Sequence, residues 1–188
     1  MNEGLIVNGE ITEIVGRPSS GRTSLLMACL ADVTRRGGMA ALVDTEQAFD
    51  PAAAARAGVD LQHLLWVRVG GRRDQALRAT DLLVRCPGFT LVALDLGERP
   101  PRVPLTLAFR LRLAVRRTGT ALLIMASRRI AGPGAGLAVR TLRCALHWEG
   151  PGLTPTRLAR VGTTVEVLRC RGGLGDVVPA ARTWWWAA

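Results

Sequence analysis

Apolar positions along this chain follow two rhythms, one of short continuous runs and one of three-to-four spacing. Residues 11–15 (Ile-Thr-Glu-Ile-Val) form an apolar, β-branched run that predicts a buried strand. In residues 23–36, Leu25, Leu26, Cys29, Leu30 and Val33 recur at helical spacing, and Gly37 and Gly38 end the helix. A strand over 39–43 delivers Asp44, Thr45 and Glu46 at its C-terminal end. A short alanine-rich helix over 51–57 opens with Pro51 and stops at Gly58. The pattern then predicts a strand over 64–69, a helix over 73–85 and a strand over 89–94 leading to Asp95. Pro100, Pro101 and Pro104 mark a loop, followed by a helix over 105–117 and a strand over 120–126. Past the flexible loop over residues 132–136 the period switches to alternation, which predicts antiparallel strands over 140–148 and 163–169. A Pro/Gly-rich stretch between them leaves room for another short strand.

Strands alternating with helices predict an α/β fold, a mostly parallel twisted sheet flanked by helices, with antiparallel strands added at its C-terminal end. One core domain over residues 1–180 and a Trp-rich tail over 181–188 account for the 188 residues. Ligands in such sheets sit at the carboxyl ends of the strands. Three groups converge there: the loop after the first strand, Glu46 and Asp95.

That loop carries the clearest motif. Gly16, Gly21, Arg22, Thr23 and Ser24 fit the phosphate-binding pattern G-x-x-x-x-G-K-[ST], with arginine in the lysine position. Such a loop aims backbone N–H groups and a helix N-terminus at phosphate oxygens. Gly16, Ser19, Ser20, Gly21, Arg22, Thr23 and Ser24 are therefore the candidate nucleotide-binding residues. Thr23 and Asp95 are placed to hold Mg²⁺, and Glu46 to orient a hydrolytic water.

Composition changes the picture in one respect. The net charge is +10, every one of the 25 basic residues is arginine, and tyrosine is absent. This balance favours acidic partners, nucleic acid included, although a genome rich in arginine codons would leave the same mark. Arg110, Arg112, Arg116 and Arg117 on one predicted helix, with Arg128 and Arg129 beyond it, are the candidates for contact with DNA or an acidic partner. A solvated helix face is the plainer account. Aromatic residues make up only 4%, so stacking on single-stranded bases is not expected. Cys29, Cys86, Cys144 and Cys170 are too scattered for a zinc site, and His63 and His147 are isolated. No apolar run approaches the roughly 20 residues of a membrane span. No signal-peptide pattern opens the chain, so a cytoplasmic protein is expected.

The wording of the first hundred residues resembles the bacterial RecA recombinase. The resemblance rests on residues 11–23, on Val43, Asp44, Thr45, Glu46, Asp50 and Pro51, and on Ala57, Gly58, Val59, Asp60, Leu64 and Leu65. It implies a RecA-like core, with Glu46 as catalytic glutamate and Asp95 as Walker B aspartate. Departures accompany it. Arg22 replaces lysine, and arginine is bulkier, planar and forked, so the exchange is not neutral. Ala53 stands where the family stacks adenine on tyrosine, and Ser127 where it carries a sensor glutamine. Both DNA-binding loops are short, and the polymerisation helix is not in this stretch, which starts just before its first strand as a trimmed piece would.

These departures resemble ImuA-like proteins, RecA-related accessory factors of damage-induced translesion synthesis. That likeness implies an SOS-linked adapter that binds a Y-family polymerase-like protein, RecA or both, with ATP and Mg²⁺ held weakly. It implies no enzyme, or at most a slow ATPase. A Mg²⁺-dependent ATPase and a non-specific DNA-binding module are the alternatives. Trp184, Trp185 and Trp186 are expected to be partner-binding anchors, since three neighbouring indoles cannot all enter one core. The opposing expectation is a tail folded over an apolar groove of its own domain.

Overall fold

The computed structural model describes residues 4–151, 156–171 and 181–187, with only the backbone of 181, 182 and 185–187. Its strands are β1 (Ile11–Gly16), β2 (Met39–Asp44), β3 (Leu64–Arg68), β4 (Phe89–Asp95), β5 (Ala121–Ala126), β6 (Leu137–Glu149), β7 (Arg157–Cys170) and β8 (Ala181–Ala187). The helices are α1 (Arg22–Arg35), α2 (Pro51–Arg56), α3 (Arg73–Arg85) and α4 (Leu105–Thr118). All eight strands lie in one sheet of order β3-β2-β4-β5-β1-β6-β7-β8.

The period-2 geometry of the strands sorts the core into two layers. Leu42, Leu91, Ala93, Leu123 and Met125 face the α1 side with Leu25, Leu26 and Leu30. Their neighbours Ala41, Val43, Val92, Leu94, Leu122 and Ile124 face α3 and α4 on the other side. Strands buried on both faces have no polar register to show, which is why they read as continuous apolar runs.

The predicted elements recur with ends shifted by a few residues, and two details differ. β6 begins at Leu137, pairs in parallel with β1, and is antiparallel only to β7. The antiparallel part of the sheet is thus the β6–β7 and β7–β8 pairs. Within the stretch expected as a tail, Ala181–Ala187 form β8, which pairs with β7 from Glu166↔Ala181 to Arg160↔Ala187. Trp184 is 8% exposed and packs in the α1-side core. The side chains of Trp185 and Trp186 lie outside the described residues.

Among the described residues no helix is long and apolar enough to cross a membrane.

Candidate functional site

β1 hands the chain to α1 through a loop at the carboxyl end of the sheet. Ser19 and Gly21 take positive φ there, 58° and 91°. Glycine is required twice. A Cβ on Gly16 would lie 2.2 Å from Thr141 Oγ1, and one on Gly21 would lie 2.1 Å from Thr163 Oγ1. β6 and β7 are thus pressed against the loop. Ser20 Oγ and Thr141 Oγ1 share a 2.6 Å hydrogen bond that fastens it to β6.

A cleft of about 550 Å³ opens beside this loop, lined among others by Arg22, Thr23, Ser24, Glu46, Asp95 and Glu98. The volume is of ligand size. The structure thus places Gly21, Arg22, Thr23, Ser24, Glu46 and Asp95 around one cleft. Thr23 is exposed to the cleft, while Arg22 is buried.

The acidic groups have separate settings. Asp44 is buried at the end of β2 and accepts bonds from the N–H groups of Glu46, Ala48 and Phe49 at 3.2, 3.3 and 3.0 Å, and from Trp66 Nε1 at 3.3 Å. It shapes the loop that carries Glu46. Asp95, at the end of β4, accepts from the Gly97 N–H at 2.9 Å. Burial pushes its carboxyl up to about 6, against the lowering effect of that bond, and the Asp44 charge adds to the rise. Glu46 accepts from the Glu98 N–H at 3.3 Å and lies 3.9 Å from Arg73.

The basic partner of the loop is itself engaged. Arg22 Nη2 is paired with the Glu98 carboxylate, from the loop after β4. In layout these residues fit phosphate and Mg²⁺. In charge the seat is contested, because the cation that would meet a phosphate already holds a carboxylate of its own chain.

A second cleft of about 710 Å³ lies on the other side of the loop, where Arg17, Arg128, Arg129, Arg140 and Arg143 meet. One of its lining arginines, Arg129, is held from within the sheet by Glu13, a carboxylate on β1 that is 1% exposed. Glu13 accepts from the Ile130 and Ala131 N–H groups, both at 2.7 Å, and from Arg129 Nε at 3.2 Å. Arg128 and Arg129 are thus separated from the α4 arginines with which sequence grouped them. Arg110 lies 3.4 Å from Asp81, and Arg116 bonds Glu10 at 2.7 Å. Arg112 faces Arg171, whose guanidinium burial and this like charge hold below its ordinary range. These four arginines point around the helix and do not form one face; Arg117 is exposed.

Glu13, Glu98, Thr141 and Thr163 are the site residues that sequence reasoning missed. Only Glu13 left a signal, a lone carboxylate inside an apolar strand.

Comparison with known proteins follows this geometry. The model of the RecA N-terminal domain family matches residues 2–98, just over half of the chain. The RecA protein of Ruegeria pomeroyi is 45% identical over 87 residues, 46% of this chain and 25% of that protein. The RecA protein of Prochlorococcus marinus strain MIT 9211 is 44% identical over 87 residues, 46% of this chain and 23% of its own. That of Rhizobium rhizogenes is 41% identical over 92 residues, 49% and 25% of the two chains. The matched part spans about a quarter of the length of these relatives.

Proposed function

The chain belongs to the RecA N-terminal domain family, and from that premise we propose that it works as an accessory or adapter protein in mutagenic translesion DNA synthesis. In this reading it acts through contacts with RecA, a Y-family polymerase-like protein, or both. The observation that carries it is a row of exposed apolar side chains on α4. Leu105, Phe109 and Leu113 stand at i, i+4 and i+8, and Leu113 is 70% exposed. Leu82 on the neighbouring α3 is exposed to the same degree. Soluble domains rarely leave large apolar side chains in a row without a partner for them. The exposed Arg117 of the same helix suits an acidic group on that partner. The pairing of Arg22 with Glu98 supports a role that does not depend on turnover.

The test is binding of the purified protein to immobilised RecA and to a Y-family polymerase-like protein. Phe109→Glu is expected to weaken the complex by about tenfold or more, a loss of the size seen at interface anchors. Failure of both proteins to bind, or binding untouched by Phe109→Glu and Leu113→Glu, would remove the adapter reading.

The five-arginine cleft favours a second reading, a non-specific nucleic-acid module. It requires single- or double-stranded DNA affinity that falls steeply with salt. Kinship with RecA proteins also suggests ATP and Mg²⁺ as ligands. A slow ATPase using Thr23, Glu46 and Asp95 requires turnover that vanishes in Glu46→Ala.

A further inference from the structure

We propose that Glu98 is a built-in counter-anion of the P-loop, occupying by its carboxylate the charge that a nucleotide phosphate would bring. This rests on the family's P-loop reading and is independent of the adapter role.

Three observations converge on this one residue. Its side chain pairs with Nη2 of Arg22, the residue in the P-loop's lysine position. Its N–H donates to Glu46 Oε1 at 3.3 Å. Its carbonyl accepts from Ser127 Oγ at 2.7 Å. The cation, the glutamate and the residue at the sensor position are therefore all bonded to Glu98. The loop that carries it is held close, since a Cβ on Gly97 would lie 2.1 Å from the Glu46 carboxyl carbon. Glu98 is braced on both sides of its backbone and does not hang free in the cleft.

The physical consequence is competition. A helix N-terminus and a guanidinium together attract an anion, and a tethered carboxylate is present at high effective concentration. A nucleotide must displace it. Displacement also leaves a carboxylate beside the triphosphate in a cleft that already contains Glu46 and Asp95. Like charges at that separation oppose binding. The pairing is incomplete in one respect: Arg22 Nη1 is buried with no hydrogen-bond partner among the described residues. A phosphate that offers two oxygens in the plane of the guanidinium can use both arms, where Glu98 is bonded to one. Glu98 therefore sets the affinity for nucleotide without abolishing the seat. Its displacement would also break the bonds to Glu46 and Ser127, and so loosen the loops after β4 and β5 together.

The experiment is titration of the full chain with Mg²⁺-ATP by calorimetry, for the wild type, Glu98→Gln, Glu98→Ala and the pair Arg22→Ala with Glu98→Gln. Glu98→Gln keeps shape and removes the charge. It is expected to bind Mg²⁺-ATP about tenfold or more tighter than the wild type. Adding Arg22→Ala is expected to erase that gain. A folded Glu98→Gln that binds no better than the wild type overturns the proposal. So does a wild type that already binds at low micromolar concentration. Should Glu98→Gln lose its fold by circular dichroism, the Glu98→Ala and charge-swapped Arg22→Glu, Glu98→Arg proteins decide. The swapped pair is expected to fold and to bind no nucleotide, and Glu98→Ala to bind more tightly. Complex formation with RecA or a polymerase-like protein is measured without nucleotide, so the adapter reading can fail while this one stands, and the reverse.

Discussion

Replacing Glu13 by alanine removes the acceptor for three donors at once. Glu13 sits on β1 between Ile124 of β5 and Ala138 of β6, with almost no access to water. Its carboxylate satisfies the Ile130 and Ala131 N–H groups at 2.7 Å and Arg129 Nε at 3.2 Å. Hydrogen bonds to a charged group contribute about 1.5–3 kcal/mol each, and a buried donor left without a partner costs about 1–3 kcal/mol. The two orphaned N–H groups and the released guanidinium overlap in effect, so the sum is not simple. The expected loss is about 3–5 kcal/mol, as for breaking other buried charge pairs. That is a large share of the roughly 5–15 kcal/mol by which a domain is stable. Guanidinium denaturation followed by far-UV circular dichroism measures it. Glu13→Gln keeps one acceptor oxygen and is expected to lose less. Hydrogen exchange at Ile130 and Ala131 should accelerate in Glu13→Ala, where those amides lose their partner, and less in Glu13→Gln. A Glu13→Ala protein within about 1 kcal/mol of the wild type would refute the claim that this carboxylate holds the loop.

Other outcomes follow from the same structure. Asp95 keeps its proton up to a pH near 6 in the fold but ionises near 3.8 when unfolded, so stability falls as pH rises between those values. Asp95→Asn should remove that slope in apo protein and add up to about 3 kcal/mol at neutral pH in thermal or denaturant melts; an unchanged slope would contradict it. Cys29 is buried, with its thiol pushed up to about 12 chiefly by burial, whereas Cys86 and Cys144 are exposed. A thiol-reactive dye should therefore label Cys86 and Cys144 first and Cys29 only on unfolding, read by mass spectrometry. Trp184→Ala should cost about 3–5 kcal/mol, and deleting residues 183–188 should lower the melting temperature, because Trp184 fills the core; an unchanged melting temperature would return that residue to a docking role.

Sequence alone determined the order of elements and the placing of Gly16, Thr23, Glu46 and Asp95 at strand ends. Those signals are local: glycines at fixed spacing, apolar runs of strand length, and a helical period after the loop. The family resemblance in the first hundred residues rested on the same short-range wording. Tertiary structure decided what the site is in contact with. Glu98 reaches Arg22 across 76 positions and Glu13 reaches Ala131 across 118, and no local period records such pairings. Thr141 and Thr163 meet the loop only because β6 and β7 join the sheet beside β1. The tryptophan run was legible as unusual, but the burial of Trp184 depended on β8 pairing with β7. Likewise, arginines on one helix looked like one patch until packing turned Arg110 toward Asp81 and Arg116 toward Glu10. Chain-local spacing specifies where groups stand along the strands. Which charge meets which is set by long-range packing, and here that decided whether the arginine of the P-loop faces a ligand or a carboxylate of its own chain.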